Sequence, residues 1–210
     1  GVDGDRMLLQ TRHLIKEVAK LVGETFPKSI QLRTQLPENL WPIMGDATQL
    51  HQVMVNLTVN ARDAMPGGGT LTLSAENVSY DATTVPRIGI ANDAVAKPGD
   101  YVAIKVTDTG TGIPPEVIER IFEPFFTTKE VGKGTGLGLA TVLGIAKSHG
   151  GFLQVQTEVN KGTSFLICLP AVENAQAQAQ ESGPRAIPTG QGELILAVDD
   201  ESAVLTMTKE

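Results

Sequence analysis

Cysteine is almost missing from this chain: among 210 residues there is one, Cys168. A disulfide needs two, which excludes a secreted disulfide scaffold. Cys168 lies in the apolar run Ser164–Leu169 and reads as a small buried hydrophobe in a reducing compartment. Histidines are also few, three in all, and no His/Cys/Asp group has zinc-ligand spacing. Positive charge is in deficit, with 17 Lys and Arg against 24 Asp and Glu, a net charge of −7. Such a chain gets no long-range attraction to nucleic acid or anionic lipid. Any phosphate it binds must be held by local backbone groups and a metal. Long hydrophobic runs are absent: nothing approaches the roughly 18 consecutive apolar residues of a membrane span, and the first residues carry no secretory signal pattern. The expected location is cytoplasmic, leaving membrane anchoring of a longer parent open.

What is present is a 41% hydrophobic composition, enough for one good core plus extra segments. Leu14, Ile15, Val18, Leu21 and Val22 predict an amphipathic helix over Thr11–Phe26, stopped by Pro27. Ser29–Leu36 alternates as a strand. Asp46 is placed to cap a helix over residues 47–64 with an apolar stripe of Leu50, Met54, Leu57, Ala61 and Met65. Pro66-Gly67-Gly68-Gly69 breaks it, and Thr70–Asn77 alternates as a strand. Residues 78–99 read as a polar excursion, Tyr101–Asp108 as a strand, and Pro114–Ile121 as a short helix with prolines in its first turn. A helix over Leu137–Ser148 and a hairpin of Phe152–Thr157 with Thr163–Leu169 complete the pattern. Helices and strands mix without a strict βαβ repeat, so the expected fold is α+β, a two-layer sandwich of a mixed sheet with helices on one face. After Pro170, Ala/Gln-rich and then Pro/Gly-rich sequence reads as a linker over 171–192, and Glu193–Val198 as a new apolar strand ending in Asp199-Asp200-Glu201.

Four segments carry chemistry. On helix 47–64, Asn56, Asn60 and Asp63 are spaced i, i+4, i+7 and share one face. Such a face can meet Mg²⁺ and triphosphate oxygens, Mg²⁺ taking few protein ligands; the same pattern also serves an ordinary polar helix face. Asp108-Thr109-Gly110-Thr111-Gly112-Ile113 follows a strand. A strand-end carboxylate can accept from an exocyclic amine such as adenine's, and glycines let the backbone approach a flat base; a plain tight turn is the alternative. Ile121–Phe126 holds half of the six phenylalanines, suited to anchoring a mobile segment or to plain core packing. Gly132-Lys133-Gly134-Thr135-Gly136-Leu137-Gly138-Leu139 opens a helix, whose free N–H groups and dipole suit phosphate. It is not a Walker A loop, because Thr127 and Gly134 stand where glycine and Ser/Thr are required. The dinucleotide fingerprint also fails, at Leu137 and Leu139.

In order and spacing, these segments together resemble the catalytic domain of sensor histidine kinases, within the gyrase, heat-shock-chaperone, histidine-kinase and MutL ATPase superfamily. Asn56–Ala64 resembles the N box, Asp108–Ile113 the G1 box, Phe122–Phe126 the F box, Gly134–Leu139 the G2 box, and Lys161-Gly162-Thr163 the glycine motif before the last strand. The resemblance covers about residues 11–170 and implies ATP and Mg²⁺ as cofactors. Asn60 is then the Mg²⁺ ligand. Asp108 accepts from the adenine amine, helped through water by Gly112 and Thr163, with Gly110 and Ile113 in the same box. Gly134, Thr135, Gly136, Leu137 and Gly138 form the phosphate-facing end of a lid spanning about Thr127–Lys133. Phe122 and Phe125 anchor the base of that lid. Lys129 and Lys133 are the lid cations available to the γ-phosphate. One departure is Asp63, at a place where many histidine kinases carry a basic residue; Arg62 points about 100° away on an ideal helix. Residues 1–10 are expected to be the tail of a dimerisation and phosphoacceptor region, and residues 193–210 resemble the start of a receiver domain. The implied partners are those dimerisation helices, a receiver or response regulator, and a second copy in a homodimer, with no nucleic acid.

Three activities compete: a protein-histidine kinase, an ATP-hydrolysing clamp, and a non-catalytic nucleotide-binding module. The clamp ATPases generally use a glutamate at the position of Asn56 to activate water. An amide cannot take that proton, which favours transfer to a histidine. A non-catalytic module would be expected to lose Asp108, Asn60 or the lid glycines, and all are present. None of the three histidines fits the acceptor. His13 is followed by Leu14-Ile15-Lys16 where the family's acceptor usually precedes an acidic residue. His149 reads as a cation at a helix C-terminus.

Overall fold

The computed structural model describes residues 6–84, 96–129 and 134–172. In chain order the elements are β1 (Met7–Leu9), α1 (Thr11–Thr25), β2 (Ile30–Gln35), β3 (Ile43–Gly45), α2 (Ala47–Asp63), β4 (Gly69–Tyr80), β5 (Gly99–Asp108), α3 (Gly138–Ser148), β6 (Phe152–Glu158) and β7 (Gly162–Pro170). Lys133, most of the linker and the receiver-like residues 193–210 lie outside the described residues.

α1 buries Leu14, Ile15, Val18 and Val22; Leu21, at the edge of the apolar stripe, stays 39% exposed. α2 starts where Asp46 accepts the N–H groups of Thr48 (2.8 Å) and Gln49 (3.1 Å), satisfying two donors the helix cannot. Its buried face is Leu50, Val53, Met54, Leu57, Thr58 and Ala61. The five-stranded sheet has the order β2-β4-β5-β7-β6. β2 runs parallel to β4, and the other pairs are antiparallel.

The two-residue period of a strand sorts the side chains onto two faces. Leu71, Leu73, Val102, Ile104, Val106, Leu153, Phe165 and Ile167 join the helices in the main core. On the opposite face Tyr101, Ala103, Phe152 and Cys168 form a smaller cluster with Val78, Tyr80 and Leu166. The Tyr101 and Phe152 rings meet edge to face there, 5.3 Å between centroids. Burial in this cluster pushes the Cys168 thiol up to about 12, so it carries no thiolate at neutral pH.

Three segments depart from the sequence reading. β4 runs on to Tyr80 and β5 begins at Gly99; Val78 and Tyr80 are retained in the sheet by the rear cluster, which their polar neighbours conceal in sequence. β1 and β3 pair antiparallel, a two-stranded ladder of residues 7–9 with 43–45 that the sequence reading lacks. Strands of three residues are too short to display a period. Pro114–Ile121 is a series of turns, with Val117 donating to Pro114 (3.1 Å), Arg120 to Val117 (2.9 Å) and Glu123 to Arg120 (2.9 Å). Two turns of chain closed by Pro124 make too few i→i+4 bonds to offset helix nucleation.

Candidate functional site

A cavity of about 490 Å³ opens beside the exposed face of α2, between the chain after β5 and the start of α3. Its size is that of a small-molecule site. Asp108, Thr163 and Phe165 line its base. Asn56, Asn60, Arg62 and Asp63 come from α2, Thr111, Gly112 and Ile113 from the loop after β5, and Thr127–Lys129 with Gly134, Thr135, Gly136 and Gly138 from the segment before α3.

Asp108 ends β5 only 5% exposed. Its Oδ1 accepts the N–H groups of Gly110 (2.8 Å) and Thr163 (3.2 Å). Burial pushes its carboxyl above the usual carboxylate range, and these two donors partly offset that rise. Among the described residues no hydrogen bond uses Oδ2, the oxygen left for a ligand. The glycines here serve close approach. Gly110 lies outside the cavity lining: a Cβ on it would collide with the Ala64 carbonyl, to which Thr111 N–H donates at 2.9 Å. The loop is thus clamped on the C-terminus of α2. Gly112 has φ 69° and lies against the Glu158 carbonyl.

On α2, Asn60 Oδ1 and Asp63 Oδ2 converge on the Lys129 ammonium, at 3.3 and 2.6 Å. Arg62 Nη2 bonds Asp63 Oδ1 at 2.8 Å while its guanidinium lies over the Phe26 ring. Burial raises the Asp63 carboxyl, but Lys129 and Arg62 outweigh it and hold the group below its ordinary value. Arg62 is among the residues lining the cavity, but its guanidinium is taken up by Asp63 and the Phe26 ring. Asn56 Nδ2 donates to Gly138 O at 3.3 Å, tying α2 to the first residue of α3.

Among the described residues no side chain caps α3, and its first turn holds no acidic residue, so its N-terminal end at the cavity suits an anion. Leu137, its N-cap, is exposed and lies outside the lining. The phenylalanines divide differently from expectation. Phe122 is buried in the main core and does not line the cavity. Phe125 is 75% exposed with φ 68°, because that backbone turn points its ring outward. Its backbone holds the segment, through its N–H to Gly136 O at 2.9 Å. Phe126, with the Arg120 guanidinium 4.4 Å above its ring, lines the cavity instead.

His149 is corrected too. Its Nε2 accepts Asp46 N–H at 3.1 Å and its Nδ1 stands 2.8 Å from Ile145 O. A ring that accepts at Nε2 and donates at Nδ1 is neutral, so His149 is a buried strut between α3 and the cap of α2, not a helix-end cation.

A buried strand-end acceptor, an amide-bearing helix face and an uncapped glycine-rich helix start around one cavity make a nucleotide-binding domain of the α/β-sandwich type. The chain belongs to the histidine kinase-, DNA gyrase B-, and HSP90-like ATPase family, whose model matches residues 45–173. Sensor kinase CckA of Brucella abortus (strain 2308) is 46% identical over 195 residues, covering 89% of this chain and 20% of that protein. Sporulation kinase A of Bacillus subtilis (strain 168) is 36% identical over 163 residues, 77% of this chain and 23% of that protein. The chain thus spans about a fifth of these relatives. The catalytic domain of histidine kinase ThkA, nucleotide-free, superposes with TM-score 0.62 at 29% identity, covering 80% of this chain and 96% of that one. Full-length ShkA in complex with AMPPNP superposes with TM-score 0.62 at 26% identity, covering 81% of this chain and 32% of that one. Among the described residues no helix is long and apolar enough to cross a membrane.

Proposed function

We propose that this domain binds ATP with Mg²⁺ in the cavity and, within a longer protein, passes the γ-phosphate to a histidine on neighbouring dimerisation helices, as a protein-histidine kinase of a two-component system. The observation that carries the reading is the convergence of Asp108, the Asn56–Asn60–Asp63 face and the start of α3 on one cavity. Adenine belongs at Asp108, whose Oδ2 accepts from its amine, with Gly112, Ile113 and Thr163 beside it and Gly110 holding the loop. The phosphates belong at Gly134, Thr135, Gly136 and Gly138, where free N–H groups suit anions. Phe122 and Leu137 act from behind, as core support and helix cap.

The residues present fit a divalent cation, since Asn60 Oδ1 and Asp63 Oδ2 already converge on one positive charge. Asn60 would be the protein ligand, and the ion would neutralise phosphate oxygens. Lys129 is the described lid cation available to the γ-phosphate; Lys133 is the second by sequence. Asn60→Ala is expected to weaken ATP binding in Mg²⁺ about tenfold, and in EDTA no more than about twofold. Calorimetric titrations under both conditions check this, and equal losses would make Asn60 structural.

Transfer is favoured over hydrolysis by the acids at hand. Among the described residues lining the cavity the carboxylates are Asp63, engaged by two cations, and Asp108, at the base end. Asn56 is an amide whose Nδ2 is engaged by Gly138. None is a free base for water. His13, His51 and His149 do not line the cavity. Incubated with γ-labelled ATP, the chain alone is therefore expected to take up no stable label, and adding the separate histidine-bearing helices should produce label on them. Rates in trans should be low, because docking loses the tether's effective concentration. Label on His13, His51 or His149 would move the acceptor, and rapid phosphate release would support a clamp ATPase. A receiver domain or response regulator would take the phosphate onward, in a homodimeric cytoplasmic protein without nucleic acid.

A further inference from the structure

Thr157, near the end of β6, has one hydroxyl and three neighbours for it. Its Oγ1 accepts Ile113 N–H at 2.8 Å, donates to Gly162 O at 3.1 Å and lies 3.0 Å from Thr163 Oγ1. A hydroxyl has one proton and two lone pairs. A backbone N–H can only donate and a carbonyl can only accept, so Ile113 takes one lone pair and Gly162 takes the proton. The remaining lone pair can serve Thr163 only if Thr163 is the donor. With all three contacts satisfied, the Thr163 proton is turned away from the cavity, and its oxygen can present only lone pairs there.

Thr163 is itself buried, lines the cavity, and gives its backbone N–H to Asp108 Oδ1. The base end of the cavity is then lined by two side chains of one hydrogen-bonding sense, the Asp108 carboxylate and the Thr163 oxygen, both acceptors. A purine with an amine at C6 brings protons to such an edge. A 6-oxo purine in the same pose brings a carbonyl oxygen, so lone pairs face the lone pairs of two buried side chains. Thr157 does not line the cavity; it acts through Thr163 and through the loop residue Ile113.

We propose that Thr157 is a positioning residue for base specificity: by fixing the direction of the Thr163 hydroxyl it keeps the base end accept-only and so discriminates 6-amino from 6-oxo purine nucleotides. The proposal rests on the reading of Asp108 as the acceptor for the adenine amine. Without the Thr157 hydroxyl, the Thr163 proton is released and can rotate into the cavity to meet a carbonyl at C6.

The test uses ATP and inosine triphosphate, whose bases differ at C6, amine against carbonyl, and at the adjoining N1, acceptor against N–H donor. Thr157→Val keeps the shape and the β-branch that suit a strand, and Thr157→Ser keeps the hydroxyl. Calorimetric or competition affinities for both nucleotides, with a melting curve for each variant, give the readout. The wild type is expected to prefer ATP, Thr157→Val to reduce the ATP-to-inosine-triphosphate preference about tenfold, and Thr157→Ser to keep it. A preference unchanged in Thr157→Val, or affinities for both nucleotides falling together, overturns the proposal while leaving Asp108 in its role. Loss of preference in Thr157→Ser as large as in Thr157→Val overturns it as well. A wild type that binds both nucleotides equally removes the proposal and the adenine reading of Asp108 together.

Discussion

Asp108→Asn is expected to lower ATP affinity about 10- to 100-fold and to leave the protein folded. The two parts separate because the two carboxylate oxygens have different duties. Oδ1 accepts from Gly110 and Thr163, and an asparagine carbonyl can accept both N–H groups in its place. The amide nitrogen then takes the position of Oδ2 and turns two donors toward the adenine amine. Stability points the other way. Burial raises the folded-state pKa of Asp108 above its ordinary value. A carboxyl raised in this way contributes stability that is fully present below the unfolded pKa and lost as pH rises through the folded pKa. Above its folded pKa the ionised Asp108 is therefore a cost to folding, and there the asparagine variant should melt no lower than the wild type. The same sign governs binding. Protonated Asp108 has a hydroxyl where an acceptor is needed, so wild-type ATP affinity should fall on acidification at a higher pH than for an exposed carboxylate. The variant should lack that fall. Titrations across the acid range with melting curves decide it, and undiminished affinity in the folded variant would take Asp108 out of the base site.

Gly112→Ala should cost about 3 kcal/mol of stability, roughly 9 °C in melting temperature, with a further loss of ATP affinity. Gly112 has φ 69°, a left-handed conformation that disfavours side chains. A Cβ there would also overlap the Glu158 carbonyl, which is backbone and cannot rotate aside. Relief requires the loop to move, and the loop carries Thr111 and Ile113 in the cavity wall. Gly144→Ala is the internal comparison. Gly144 lies within α3, and among the described residues beyond its own helix turn no atom comes within 4 Å of where a Cβ would sit. The same substitution there should raise stability by about 0.5–1 kcal/mol through helix propensity. If both variants melt alike, close packing of Gly112 against Glu158 is not what holds the loop.

The elements with a strong period were legible in the sequence. α1, α2 and the four long antiparallel strand segments alternate at 3.6 or 2 residues, and burial follows that alternation, as for Val102, Ile104 and Val106 against Tyr101 and Ala103. Asp46 as cap of α2 was legible because capping is decided within three residues. The three-residue strands β1 and β3 were not legible, because they exist only through pairing across 30 or more positions of chain. The turn series after Pro114 deceived for the opposite reason: its composition permits a helix, and only the short length available before Pro124 forbids one.

Within the site the same division holds. By itself the sequence determined which chemical groups are available: two amides and a carboxylate on one helix face, an acid at a strand end, glycines at a helix start. Each follows from spacing within a turn or two of chain, where backbone geometry dictates direction. Tertiary structure decided which of them meet. Asp63 meets Lys129 across 66 positions and Asp108 meets Thr163 across 55. Phe126 rather than Phe125 or Phe122 lines the cavity because of one positive φ and one buried core position. The neutral state of His149 follows from an N–H 103 positions away. Such contacts depend on sheet register and helix packing, which place side chains to within an ångström, and local preferences along the chain carry no information at that range.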